Sequence, residues 1–151
     1  MMHIALRGSS EQFFAACGSV LGVRPPTEPN TVAASDTLSI LWLGPDEWLV
    51  IAQDLALEKL HAALAGIHSA AVDVSSSRKA LVVSGARAEE VLAKAATLDF
   101  SLAAFRVGSC AQTNIARTQG IIERRGAEEF VLYVRSSFAP YLSAWLDDAR
   151  A

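Results

Sequence analysis

The residue types that most often act in catalysis or metal binding are few in this sequence. Their spacing does not match the usual catalytic or metal-binding motifs. The histidines His3, His61 and His68 show no metal-ligand spacing with cysteines or acidic residues. Cys17 and Cys110 lie far apart and form no C-x-x-C pair, so we expect two free thiols in a reducing compartment. The sequence contains no phosphate-binding glycine motif, no zinc-protease motif and no nucleophile elbow. We therefore predict no catalytic, cofactor-binding or metal site on this chain.

Two polar segments and one tryptophan remain as candidates for a binding site. Residues 73–78, DVSSSR, could form a polar site, but Asp and Ser more often bond the local backbone in a turn, which we favour. Glu123, Arg124 and Arg125 could face a carboxylate or phosphate of a partner, or form a solvated turn flank. Trp42 alternates with two leucines and so points to the opposite face of its strand. We predict Trp42, Glu123, Arg124 and Arg125 as outward-facing contacts with a partner.

These candidates lie on two similar predicted hairpins. Residues 41–52, LWLGPDEWLVIA, form two apolar runs around a Gly-Pro-Asp turn, which predicts a hairpin over about 38–52. Residues 120–134, GIIERRGAEEFVLYV, repeat this pattern, and Gly126 takes the place of Gly44. The two hairpins indicate an internal duplication.

Helical and strand patterns surround each hairpin. The first half contains a strand at 4–6, a helix capped by Ser9 and ending at Gly22, a proline-rich loop at 24–36, the hairpin, a helix capped by Asp54 and ending at Gly66, and a strand at 70–74. The second half contains a strand at 81–83 before Gly85, a helix over 87–96, a strand near 109–117, the hairpin, and a helix from about Ser137.

The order β-α-β-β-α in each half predicts an α+β fold. It consists of two pseudo-repeated, ferredoxin-like units in one compact body. We interpret residues 1–151 as a single domain with an internal repeat of 3–66 and 79–149, bridged by 70–74.

Bulk composition excludes several classes of partner. Hydrophobic residues make up 52% and charged residues 19%, which is typical of a globular chain. The net charge is −3 and the basic residues are scattered, which argues against nucleic-acid binding. No apolar run approaches the roughly 20 residues of a membrane helix. We expect a cytoplasmic protein that binds neither nucleic acid nor membrane.

The second half carries one recognisable pattern. Its residues are Asp73-Val74-Ser75, Gly85, TLDF at 97–100, GII at 120–122 and FVLYV at 130–134. This pattern, over residues 70–149, resembles the N-terminal part of the aminomethyltransferase (glycine cleavage T-protein) family and of related folate-dependent proteins of iron–sulfur assembly. The T-protein has an acidic pair that includes its catalytic aspartate, and this chain has Glu123 and Arg124 in those places.

A second pattern covers nearly the whole chain. Its residues are WLGPDEWL at 42–49, DVS at 73–75 with Arg78, Gly108 with CAQT at 110–113, RSSF at 135–138, and Tyr141-Leu142 with Trp145-Leu146. In these residues the chain resembles the gamma subunit family of heterotetrameric sarcosine oxidases, which is itself T-protein-like.

The resemblance implies an accessory subunit without its own active site. It implies partner subunits alpha, beta and delta in a complex that oxidises sarcosine or a related N-methyl amino acid. It further implies that FAD, FMN, NAD and tetrahydrofolate belong to the alpha and beta subunits, and zinc to delta. Two alternatives remain open, namely a free-standing folate-binding one-carbon module and a structural domain of some other oxidase.

Overall fold

The computed structural model describes residues 1–151, which divide into two compact units, Met1–Ser75 and Ser76–Ala151. The first unit contains β1 (Met2–Gly8), α1 (Glu11–Leu21), β2 (Val32–Ala34), β3 (Leu38–Gly44), β4 (Glu47–Ala52), α2 (Leu57–Leu64) and β5 (Ser69–Asp73). The second unit contains β6 (Arg78–Ser84), α3 (Ala88–Ala95), β7 (Cys110–Ile115), β8 (Thr118–Gly126), β9 (Glu129–Arg135) and α4 (Ala139–Ala149).

Each unit is built on one antiparallel sheet. The strand order is β2-β3-β4-β1-β5 in the first unit and, read from the equivalent edge, β7-β8-β9-β6 in the second. The two orders match strand for strand, with β5 as an addition to the first sheet. The prediction of an α+β fold with two pseudo-repeated units is therefore confirmed. The segment predicted to bridge the copies overlaps β5, which pairs with β1.

The two hairpins have the same local geometry. Trp42 pairs with Trp48 before a register shift that ends at Gly44. Arg124 pairs with Phe130 before the same shift ending at Gly126. Such a shift bends the strand and increases its twist. The predicted duplication of the hairpin is thus seen at the level of individual pairs.

The predicted loop at 24–36 is wrong at residues 32–34. Val32–Ala34 form the short strand β2, which pairs with β3 through Val32 and Leu41. Each unit therefore contains β-α-β-β-β-α. The strand predicted near 109–117 is β7, whereas its counterpart in the first half, β2, was not predicted. The prolines that suggested a loop all precede β2, where they do not interrupt its ladder.

Two predicted helix starts are also corrected. The cap of α1 is Ser10, whose hydroxyl oxygen accepts a bond from the Phe13 amide, and not Ser9. Helix α2 begins three residues after Asp54 and has no side-chain cap. In α4, Pro140 lies in the first turn, where its missing amide hydrogen is tolerated.

Helices cover one face of each sheet and form its core. In the first unit, Phe13 of α1 stacks on Trp48 of β4, with ring centroids 5.5 Å apart. In the second, Phe130 of β9 contacts the rings of Phe100 and Phe105, which lie in the loop after α3. Aromatic pairs at these distances contribute beyond their buried area. No helix of the chain has the length and apolar character needed to cross a membrane.

Helix α1 packs so closely on the sheet that no side chain fits at Gly8 of β1. A Cβ atom at this position would overlap the ring of Phe13, whereas at Gly44 it would lie 3.8 Å from the nearest atom, Glu47 Cβ. We expect Gly8→Ala to lower the free energy of unfolding by about 1–3 kcal/mol, because overpacking displaces the ring. Gly44→Ala is the matched control, with an effect within about 0.5 kcal/mol. Denaturant unfolding followed by tryptophan fluorescence measures both, and equal effects would contradict the packing described.

Candidate functional site

The predicted contact residues of the second hairpin lie on β8 and alternate between the two faces of its sheet. Arg124 points to the face covered by α3 and α4, whereas Glu123 and Arg125 point to the other. Glu123 is 3% exposed and Arg124 is fully buried, while Arg125 is exposed. The expectation that Glu123 and Arg124 face outward is therefore wrong.

Arg124 is enclosed by the irregular loop that follows α3. Its guanidinium donates to four backbone carbonyl oxygens, those of Phe100 (2.6 Å), Phe105 (2.9 Å), Gly126 (3.3 Å) and Ala127. It also donates to the Glu89 carboxylate at 2.7 Å, and its Cζ lies 4.7 Å above the Phe130 ring centroid. The backbone of Arg124 adds bonds with Gly108 and Ser109, both at 2.9 Å. Arg124 thus fastens the loop to the sheet, and its cation is unavailable to a ligand.

Glu123 belongs to a second network on the opposite face of the same sheet. The Tyr133 hydroxyl donates to Glu123 Oε2 at 2.7 Å. Arg125 donates to the Tyr133 oxygen at 3.1 Å and lies 3.4 Å from the Glu123 carboxylate. Burial, followed by the neighbouring Glu123 charge, holds the pKa of Tyr133 above its usual range. The Glu123 carboxylate is therefore bonded within the unit, and only Arg125 presents exposed polar atoms.

Trp42 occupies the position in the first hairpin that Arg124 occupies in the second. It does point away from Leu41, as the alternation predicted, but towards the core cluster that contains Trp48. The indole is half-buried against that cluster. Only the exposed edge of the Trp42 indole can therefore make the predicted contact outside the core.

The polar segment after β5 forms a turn. The Ser75 amide donates to Asp73 Oδ1 at 2.9 Å, and the Ser75 hydroxyl donates to the same oxygen at 2.5 Å. The His3 amide donates to the Ser75 hydroxyl oxygen at 2.9 Å. These bonds from Ser75 lower the pKa of Asp73. The favoured interpretation of 73–78, a turn bonded to local backbone, is confirmed for Asp73 and Ser75.

The remaining candidate groups are the two cysteines and His61. Cys17 and Cys110 are buried and form no disulfide. The ring nitrogen His61 Nε2 lies 2.7 Å from the Ala71 carbonyl oxygen. No group of three or more His, Cys, Asp or Glu side chains is arranged to hold a metal ion.

Two surface features of the second unit were not predicted from the sequence. The first is β6, an edge strand with exposed Ala80 and Val82 beside a groove of about 500 Å³. The second is a polar pocket of about 560 Å³ in which Arg78 and Arg135 are directly paired across β6 and β9. The register of the β6–β9 pair was the missing signal, because only the register brings the two arginines together.

The fold and these sites define the class of the protein. It is a two-unit α+β chain, and its buried charged side chains, Glu123 and Arg124, are hydrogen-bonded to other atoms of the same chain. The chain belongs to the sarcosine oxidase, gamma subunit family, whose profile matches residues 7–151. The family predicted from the sequence is thus confirmed.

Known proteins agree with this assignment. The chain is 36% identical over 140 residues to the gamma subunit of sarcosine oxidase from Corynebacterium sp. (strain P-1), covering 90% of this chain and 68% of the relative. It is 36% identical over 139 residues to that from Arthrobacter sp., covering 89% and 68%. A chain of the heterotetrameric sarcosine oxidase from Corynebacterium sp. U-96, solved in complex with pyrrole 2-carboxylate, superposes with a TM-score of 0.93. That match has 30% identity and covers 98% of this chain and 78% of the other.

Substitutions at the Arg124 site separate the roles of its carbonyl and carboxylate partners. We expect Arg124→Met to lower the free energy of unfolding of the second unit by about 3–5 kcal/mol, because buried carbonyl oxygens lose their donor. Glu89→Gln is the control, with an effect of about 1 kcal/mol or less, since the Glu89 side chain is 45% exposed. Urea unfolding followed by Trp145 fluorescence measures both. An equal loss in the two variants would show that the ion pair, and not the carbonyl cluster, holds the loop.

Because the Cys17 thiol is buried, we expect the free energy of unfolding to depend on pH in the alkaline range. Burial raises its pKa from 9.0 to about 12. Above pH 9 the unfolded chain therefore loses the thiol proton while the folded chain keeps it, so the free energy of unfolding falls until about pH 12. We expect the loss between pH 8 and 10 to be about 1 kcal/mol smaller in Cys17→Ala than in the wild type. Urea unfolding at the two pH values measures this difference, and identical pH dependence would contradict it.

Proposed function

We propose that this chain is an accessory, non-catalytic gamma subunit of a heterotetrameric sarcosine oxidase-type flavoenzyme. The family match over residues 7–151 is the observation that carries this proposal. The agreement with a chain of a heterotetrameric sarcosine oxidase, over 98% of this chain, adds support. Fold similarity alone would not support a shared function, whereas fold and family together do.

The non-catalytic role is supported by how the charged groups are used. A general acid or base must reach the proton of a substrate. Glu123, which takes the first place of the T-protein's acidic pair, is 3% exposed and accepts a bond from Tyr133. Arg124, in the second place, is bonded to the loop after α3. These contacts also weigh against the alternative of a free-standing folate-binding module.

The reaction of the complex is part of the proposal. The assembled enzyme oxidatively demethylates sarcosine or a related N-methyl amino acid, and tetrahydrofolate accepts the one-carbon unit. FAD, FMN, NAD, tetrahydrofolate and zinc reside on the alpha, beta and delta subunits, and this chain stabilises the assembly by binding to it. Two buried cysteines that form no disulfide are typical of a reducing compartment, which supports a cytoplasmic complex.

Within this proposal, we still predict that the exposed parts of Trp42 and Arg125 contact a partner subunit. Aromatic and arginine side chains are enriched among residues that dominate binding energy. Arg125 is anchored by Tyr133, so its guanidinium is partly preorganised.

Co-purification tests the proposed assembly. The tagged chain is expressed in its native host and isolated together with its partners, and the visible spectrum and subunit masses are recorded. We expect a yellow complex with a flavin absorbance band, a larger and a medium-sized partner, and sarcosine-dependent oxidase activity.

A colourless, solitary chain would contradict the proposal. Calorimetric titration of the isolated chain with tetrahydrofolate then distinguishes the alternative, because the accessory-subunit account predicts no binding. Arg125→Ala and Trp42→Ala, each compared with Arg106→Ala, test the predicted contacts by the fraction of chain recovered in the complex.

A further inference from the structure

Arg125 is the member of the network of Glu123, Tyr133 and Arg125 that reaches the surface. Its side chain is 40% exposed, whereas that of Glu123 is 4% exposed and Tyr133 is fully buried. Both contacts of the guanidinium run through Nη2, to the Tyr133 oxygen at 3.1 Å and to the Glu123 carboxylate at 3.4 Å. Of the five N–H donors of an arginine, the three on Nε and Nη1 therefore remain for an acceptor outside the chain.

Two buried groups hold this guanidinium in one direction. The Tyr133 hydroxyl donates to Glu123 Oε2 at 2.7 Å, so its proton points to the carboxylate and its oxygen accepts from Arg125. Burial and the Glu123 charge raise the pKa of Tyr133, which keeps the hydroxyl protonated. Because the carboxylate orients the hydroxyl, it also orients the guanidinium. Such order in the free chain reduces the entropic cost of binding a partner.

The charge of the network determines which acceptor fits. The Arg125 cation is already paired with the Glu123 carboxylate, so the two side chains together carry no net charge. A carboxylate from a partner would share this site with the buried Glu123 carboxylate, and two carboxylates in one site repel each other. A neutral carbonyl oxygen still gains a charge-assisted hydrogen bond from the guanidinium and meets no such repulsion. The network therefore favours neutral acceptors over anions.

The neighbouring arginine shows the same arrangement within the chain. Arg124 is paired with one carboxylate, that of Glu89, and its other hydrogen bonds go to four backbone carbonyl oxygens. Arg125 is likewise paired with one carboxylate, but no carbonyl oxygen of its own chain accepts from it. Carbonyl oxygens without a donor occur at the C-terminal end of a helix, where the last four lack an intrahelical partner and the helix dipole is negative.

We infer that Arg125 binds the backbone carbonyl oxygens at the C-terminal end of a helix in a partner subunit, as Arg124 binds those of its own loop. Glu123 and Tyr133 are positioning residues, which hold the guanidinium ready for this contact. The inference rests on the proposed function, since it assigns the chemistry of the group that Arg125 meets in the complex. This acceptor differs from the carboxylate or phosphate that the sequence suggested.

Nuclear magnetic resonance of the free chain tests the positioning. We expect the order parameter of the Arg125 Nε–H group to exceed that of Arg106, an exposed arginine of the loop after α3. Tyr133→Phe keeps the buried ring and removes the anchoring oxygen, and we expect Arg125 to become as mobile as Arg106 in this variant. Equal order parameters of the two arginines in the wild type, or an unchanged value in Tyr133→Phe, would overturn the positioning role.

Assembly at two salt concentrations tests the acceptor. The double variant Glu123→Gln with Arg125→Met removes both charges, so the site stays neutral and no buried carboxylate loses its partner. Arg125→Lys is a second variant, which keeps a cation beside Glu123 but lacks the planar fork of donors. Arg106→Met is the control at an exposed arginine outside the network. The fraction of chain recovered in the complex and the melting temperature of the free chain are measured for each.

We expect the double variant and Arg125→Lys to reduce the recovered complex about tenfold, both at low salt and at roughly 0.5 M salt, with an unchanged melting temperature. The control assembles as the wild type does. A loss that appears only at low salt would identify a carboxylate as the acceptor, because salt screens an ion pair, and would overturn the inference. Equal recovery of variants and wild type at both salt concentrations would overturn it and leave the proposed function standing. A wild-type chain that forms no complex would overturn both.

Discussion

Each unit depends on side-chain hydrogen bonds to the backbone carbonyl oxygens of the irregular loop that follows its first helix. Carbonyl oxygens of such a loop that turn inward need donors, because an unpaired buried polar group is costly. In the second unit, Arg124 donates to the carbonyl oxygens of Phe100 and Phe105. In the first unit, the Trp48 indole donates to the Pro26 carbonyl oxygen at 2.8 Å. Each hairpin thus carries a polar atom that holds the loop over its own sheet.

The same constraint explains how the two copies diverged without losing their topology. Trp42 pairs with Trp48 in one hairpin, and Arg124 pairs with Phe130 in the other. In the first copy the donor is on β4, whereas in the second it has moved to β8 and the β9 position holds an aromatic ring beneath it. An indole donates one such bond, here to Pro26, and a guanidinium several, here to Phe100 and Phe105 among others.

Local sequence patterns were sufficient to predict most of the strands and helices. They were not sufficient to predict the contacts of the candidate site residues. Alternation and turn chemistry predicted both hairpins, since these signals lie within about fifteen residues of each other. Strand β2 was missed because its three residues carry little pattern beside three prolines. The burial of Arg124 depends on Phe100, which is 24 residues away in the sequence and gives no local signal. The pairing of Arg78 with Arg135 likewise exists only in the register of β6 on β9.

A chain of this kind acts through its surfaces. The Glu123 carboxylate and the Arg124 guanidinium are bonded within one unit, and both cysteines are buried. What the chain presents outward includes an open strand edge, a groove and the Arg125 guanidinium. The chain belongs to the sarcosine oxidase, gamma subunit family, and under the proposed accessory role these surfaces contact the other subunits of the complex.

The most direct test is a cryo-electron microscopy structure of the flavoenzyme purified from the native host. The account predicts one copy of this chain in each heterotetramer, with all cofactor density enclosed by other subunits. Flavin or folate density bounded by side chains of this chain, or a complete active enzyme that lacks the chain, would contradict it.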